Sequence, residues 1–204
     1  MSERGLALRR ILVALETAAS KARINWSFQV ARGTVATEML AAASEADLLA
    51  LGKSGWTAVT EGRLGSTVRA IVSAGSGPVL ILQPGARLGT PVLAVNDGSS
   101  AARKALEFAA RLLPEEDGGL SVLIAANDAE TARTLQKQAG EWAERRRINV
   151  RFRTLLGGRV PELVRALGTE DAGLLVLPGP FLSATAGALP AILSRIERPA
   201  LLVW

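Results

Sequence analysis

Apolar residues fall in short runs of four to seven, separated by longer stretches with helical spacing. Pro91–Val95, Leu120–Ala126, Asn149–Leu155, Leu174–Leu177 and Pro199–Val203 each predict a strand. Continuous apolar runs such as Leu174–Leu177 suit a parallel strand buried on both faces. Between them lie four helical patterns. Ser99–Leu113 places Ala102, Leu106, Ala109 and Ala110 on one face, and Asp128–Arg146 is long and polar with Asp128 as N-cap. Val160–Leu167 and Gly187–Ile196 complete the set. The order β-α-β-α-β-α-β-α-β predicts a parallel sheet with helices on both faces.

The first half repeats parts of this pattern. Arg10–Leu15 matches Pro91–Val95, and Trp26–Ala31 followed by Gly33-Thr34-Val35 matches Val150–Leu155 followed by Gly158-Arg159-Val160. Leu48–Leu51 matches Leu174–Leu177, and Pro78–Leu82 matches Pro199–Val203. Two tandem α/β copies, residues 1–85 and 90–204, are the simplest account. The copies are unequal. About ten residues separate the first strand from Trp26, too few for the helix, strand and helix that the second copy holds there.

The segment Leu51–Thr67, Leu-Gly-Lys-Ser-Gly-Trp-Thr-Ala-Val-Thr-Glu-Gly-Arg-Leu-Gly-Ser-Thr, stands between a predicted strand and a predicted helix. Gly52 and Gly55 let backbone approach a ligand closely. Gly65-Ser66-Thr67 opens the helix at Val68, where free N–H groups and the dipole favour an anion. An ordinary βα turn explains the same glycines without a ligand. The spacing is neither Gly-x4-Gly-Lys-Ser/Thr nor Gly-x-Gly-x-x-Gly.

The Gly-x2-Gly-x9-Gly-Ser/Thr spacing resembles that of the nucleotide-binding universal stress proteins. With the repeat, the resemblance covers nearly the whole chain. It implies a flavodoxin-like, adenine-nucleotide-hydrolase-like parallel sheet of order 3-2-1-4-5 in each of two copies. The last strands of the copies, Val79–Leu82 and Ala200–Val203, would meet in a pseudo-dimer, and a homodimer is also expected. It further implies an adenine nucleotide, ATP with Mg²⁺, held by Leu51, Gly52, Lys53, Ser54, Gly55, Gly65, Ser66, Thr67 and Val68. The family's first strand ends in an Asp that contacts adenosine. Asp97 matches it in copy two, where capping the Ser99 helix is the other reading, and Glu16 stands there in copy one. Copy two carries Pro178-Gly179-Pro180-Phe181 where two glycines belong, which removes N–H donors and adds bulk. It reads as a structural partner that binds no nucleotide.

Single residues admit plainer roles. Lys53 either neutralises a phosphate or is a solvated loop lysine. Ser66 and Thr67 either donate hydroxyls or cap a helix, and Glu16 either holds a ribose or is polar at a strand end. Trp56 covers the site, whereas Trp26, Trp142 and Trp204 pack in the core or at an interface.

Composition narrows the function. The 204 residues are 49% hydrophobic but only 4% aromatic, so Ala, Leu and Val fill the core; mean hydropathy is +0.24. The absence of His and Cys argues against a hydrolase triad, a zinc site and thiolate chemistry, and predicts a reducing, cytoplasmic setting. No catalytic or metal-ligating set is expected. No apolar run reaches the ~18 residues of a membrane span, and the N-terminus lacks a secretory layout. The net charge is +5, and +4 of it falls in residues 1–89. That suits an anionic ligand and is too scattered for nucleic acid. Arg145-Arg146-Arg147 complements a helix end. Two functions follow: an adenine-nucleotide-binding stress or signalling module, or a nucleotide-free scaffold or dimerisation protein with a decayed site.

Overall fold

The computed structural model describes residues 3–53, 64–114, 119–157, 160–169, 172–180 and 188–204. The chain divides into two compact units, Met1–Thr34 and Val35–Trp204.

The first unit holds one helix, α1 (Glu3–Ala22). It ends where Arg23 adopts φ 54°. Arg23 N–H donates to the Ser20 carbonyl at 3.2 Å and Ile24 N–H to the Ala19 carbonyl at 3.1 Å. That bond pair closes a helix with a left-handed residue. Two expectations are corrected here. Arg10–Leu15 is helical, and among the described residues Trp26–Ala31 belongs to no strand ladder. The apolar run Ile11–Leu15 is one stretch of a 20-residue helix, and length decides such short runs.

The second unit contains α2 (Val35–Ala43), β1 (Leu49–Gly52), α3 (Ser66–Ala74), β2 (Val79–Leu82), β3 (Val92–Asn96), α4 (Ser100–Arg111) and β4 (Leu120–Ala126). There follow α5 (Ala129–Arg146), β5 (Val150–Leu156), α6 (Val160–Thr169), β6 (Leu174–Pro178), α7 (Ala188–Arg195) and β7 (Ala200–Val203). Ser99 caps α4 by accepting from Ala102 N–H, and Asp128 caps α5 by accepting from Thr131 N–H. Both sit in the extended conformation an N-cap requires.

Among the described residues one seven-stranded sheet runs β1-β2-β7-β6-β3-β4-β5. Its pairs are parallel except β2–β7, where Val79 faces Leu202 and Ile81 faces Ala200. The sheet as a whole therefore departs from the expected 3-2-1-4-5 order in two copies. The last five strands, read from β5, follow β5-β4-β3-β6-β7, while the first half contributes β1 and β2 alone. The strands that were to meet between two sheets instead join one continuous sheet.

Strand alternation divides the core between the two faces. Val79, Ile81, Leu93, Leu175, Leu177 and Leu202 pack with Ile71 of α3, Leu167 of α6 and Ile192 of α7. Val92, Ala94, Val176 and Leu201 pack with Ala105 and Ala109 of α4 and Leu135 of α5. The central strands β3, β6 and β7 are buried along their whole length. Among the described residues no helix is long and apolar enough to cross a membrane.

Candidate functional site

β1 delivers the glycine segment to the end of the sheet. Leu51 points into the core and Gly52 is exposed. Ser54, Gly55 and Trp56 lie outside the described residues. The base of this loop is closed by backbone bonds: Lys53 N–H donates to the Leu82 carbonyl at 2.7 Å, and Gly65 N–H to the Lys53 carbonyl at 3.0 Å. Gly65 then serves as N-cap of α3, with φ −60° and ψ 151°, and as a glycine it brings no side chain to cap the helix. Ser66 is exposed and Thr67 half-buried, while Val68 anchors the turn in the core. Among the described residues the first-turn N–H groups of Ser66, Thr67 and Val68 donate to no backbone carbonyl, as is usual for the first turn of a helix. They and the dipole behind them can hold an anion.

Lys53 departs from both of its expected roles. It is buried, 6% exposed, and its ammonium donates to the carbonyls of Ser194 at 3.1 Å and Ile196 at 2.7 Å. It thus meets the negative end of the α7 dipole. Gln83, next after β2, donates its amide to the carbonyls of Ile196 and Arg198 at 3.3 and 2.8 Å. The antiparallel β2–β7 joint makes this possible, because it brings the carboxyl ends of β1 and β2 to the amino end of β7. Burial pulls the Lys53 pKa below its ordinary value, and the Glu197 carboxylate opposes the shift.

Glu16 lies within α1, in the first compact unit, and not at a strand end. The other predicted residues that are described, Leu51 to Lys53 and Gly65 to Val68, converge at the β1–α3 connection.

In the second half the corresponding ends are engaged in local structure. Asp97 accepts from Ser99 N–H at 3.0 Å, and the buried Asn96 accepts from Gly98 N–H at 3.0 Å. At the end of β6, Gly179 lies against the Trp204 indole, so closely that a β-carbon there would overlap the ring. Gly75, the left-handed cap of α3, abuts the same ring. Sequence reasoning missed these contacts. The glycines at 75 and 179 were the available signal, because an indole can stack there only without a β-carbon. Phe181, Ala186 and Gly187 lie outside the described residues. Among the described residues no group of three His, Cys, Asp or Glu side chains is placed to hold a metal.

A mostly parallel sheet covered by helices on both faces, with a glycine-bounded helix start at a strand end, defines a doubly wound α/β protein. No protein-family model and no curated protein matches the chain. Solved structures do. A universal stress protein from Archaeoglobus fulgidus superposes with TM-score 0.79 at 18% identity, over 98% of this chain and 79% of that one. A proposed universal stress protein from Pseudomonas aeruginosa gives 0.65 at 16%, over 93% and 77%. The cytoplasmic domain of a prokaryotic cation chloride cotransporter gives 0.65 at 16%, over 100% and 81%. The chain has the universal stress protein fold.

Proposed function

We propose that this chain is a cytoplasmic binding module of the universal stress protein kind that senses an adenine nucleotide. The phosphates of ATP, with Mg²⁺, rest on the N–H groups of Ser66, Thr67 and Val68, and Gly52 and Gly55 give the backbone close approach. The observation that carries the reading is the start of α3: a glycine N-cap at a strand end, with no side-chain cap. A helix start left without a side-chain cap is ready to receive an anion. Lys53 takes no part, since its ammonium is committed to α7. Residues 1–85 and 90–204 act as a pseudo-dimer about the β2–β7 pairing, the second half serving as structural partner.

A thermal-shift titration with ATP-Mg²⁺ tests this. A ligand selective for the folded state at 100 times its Kd adds about 2.7 kcal/mol, or several degrees for a chain of this size. Gly65→Val should abolish the shift by placing a branched side chain where the phosphate approaches. Full affinity in that variant would locate the site elsewhere.

A second reading, a nucleotide-free scaffold, is favoured by one observation. The polar side chains that open the strand ends, Lys53 and Asp97, are both engaged in internal hydrogen bonds. A flat titration through millimolar ATP decides for it.

A further inference from the structure

α4 and α5 are consecutive crossovers, from β3 to β4 and from β4 to β5, and both pack on the same face of the sheet. Helical spacing sets which side chains they turn toward each other. Arg103, Leu106 and Glu107 stand at i, i+3 and i+4 on α4, and Leu135, Trp142 and Arg145 at i, i+7 and i+10 on α5. Between these residues the helices leave a cavity of about 230 Å³, which extends to Asn96 at the end of β3. Leu106 and Leu135 are buried and give it an apolar lining.

The acid in this lining is already matched. Glu107 Oε1 accepts from Trp142 Nε1–H at 2.9 Å and from Arg146 at 2.6 Å. The Arg146 guanidinium also lies over the Trp142 ring, 5.1 Å from its centre. A hydrogen bond and a cation–π contact thus hold the indole in place. The bases on the cavity are not matched. Arg103 and Arg145 are exposed and form no ion pair or hydrogen bond among the described residues. Asn96 is the sharper signal, because it is only 5% exposed. Its Oδ1 accepts from Gly98 N–H at 3.0 Å, which fixes the orientation of the amide. Nδ2 is left without an acceptor among the described residues. A buried donor without a partner is unfavourable, and this one belongs to a residue that lines a cavity.

We propose that this cavity between α4 and α5 binds a small organic anion with a flat apolar body, a carboxylate of the size class of benzoate. The unmatched groups, Arg103, Arg145 and the Asn96 amide, are all donors, so the ligand supplies acceptors and negative charge. A guanidinium fork matches a carboxylate with two parallel hydrogen bonds. The leucines and the fixed indole suit a planar apolar body. Size sets the upper limit. Pockets for drug-sized ligands run from about 300 to 1,000 Å³, and this cavity is smaller, so the occupant is smaller than a nucleotide. The site shares no residue with the β1–α3 connection and does not rest on the nucleotide reading.

The Trp142 indole N–H makes the site observable in the full chain. Its nuclear magnetic resonance signal is one of four from tryptophan indoles, and Trp142→Phe assigns it. Benzoate is the probe, and benzamide has the same shape without the charge. Arg103→Gln removes one cation from the cavity at an exposed position. Arg133→Gln is its control, because Arg133 is exposed on α5 and outside the cavity. Asn96→Asp keeps the acceptor for Gly98 and replaces the amide donor with a second oxygen.

Benzoate should move the Trp142 indole signal with a Kd of about 1 mM or below. Arg103→Gln should weaken binding about tenfold or more, and benzamide should bind the parent about tenfold more weakly than benzoate. Arg133→Gln should bind like the parent. Asn96→Asp should lose binding; the exposed Arg103 carries the same test should that buried substitution prevent folding. ATP-Mg²⁺ should leave the benzoate response in place. No movement of the Trp142 signal through about 20 mM benzoate would overturn the proposal. So would equal affinity for benzamide, equal effects of Arg103→Gln and Arg133→Gln, or displacement of benzoate by ATP.

Discussion

The Lys53 ammonium donates a 2.7 Å hydrogen bond to the Ile196 carbonyl, 143 residues further along the chain. A second bond, to Ser194 at 3.1 Å, joins the same lysine to the end of α7. Hydrogen bonds to charged groups contribute about 1.5–3 kcal/mol, and removing one partner leaves the other without its bond. Lys53→Ala should therefore cost about 2 kcal/mol. Urea denaturation should show a lower midpoint at an unchanged slope. A variant as stable as the parent would mean that Gln83 alone suffices at Ile196.

The same lysine sets a pH dependence. Burial depresses its pKa, with Glu197 opposing, so the folded state releases this proton at lower pH than the unfolded chain does. Between the folded pKa and the ordinary 10.5 the unfolded state binds more protons, and stability rises with pH there. Below that window the unfavourable contribution is constant. Lys53→Met should remove the rise, so the stability difference between parent and variant should vary with pH only between the depressed folded-state pKa and 10.5. A pH-independent difference would show that the ammonium has its solution affinity for protons.

The second half was legible because its local signals agree with its fold. Strand runs such as Leu174–Leu177 have β-branched or leucine-rich apolar faces, and Ser99 and Asp128 are strong caps at helix starts. The first 34 residues were not legible for a related reason. Ile11-Leu12-Val13 is β-branched and apolar enough to imitate a strand, and only the surrounding 20-residue helix decides against it. Trp26–Ala31 has the period of a strand, but period cannot supply the neighbour a ladder needs. At the candidate site, Gly65 and Ser66 were readable as a helix start. The fate of Lys53 was not, because it depends on the antiparallel β2–β7 register that brings α7 to it.

Gly65 separates stability from binding. Its φ of −60° and ψ of 151° are open to any residue, and aspartate there would accept from the N–H of Thr67 or Val68. Gly65→Asp should raise stability by a few tenths of a kcal/mol and fill the phosphate position with a fixed negative charge. The unliganded melting temperature should hold or rise by about a degree, while the response to ATP-Mg²⁺ disappears. A variant that keeps the full ATP response would move the phosphates away from α3.

Gly98 provides the matching test in the second half. It adopts φ 81°, donates its N–H to Asn96, and would bring an added β-carbon to 2.8 Å from the Leu135 Cδ2 methyl. A left-handed alanine costs about 1 kcal/mol. The overlap adds less than a backbone clash would, because the end of the leucine side chain can swing aside. Displacing Leu135 nonetheless disturbs the packing between α5 and the sheet, where it is buried with Ala105, Ala109 and Ile124. Gly98→Ala should cost about 1–3 kcal/mol in total, read as a lower urea midpoint at constant slope. Leu135→Ala in the same background makes room for the new methyl, so the two substitutions should be less than additive. Strict additivity would assign the whole cost to the backbone at Gly98.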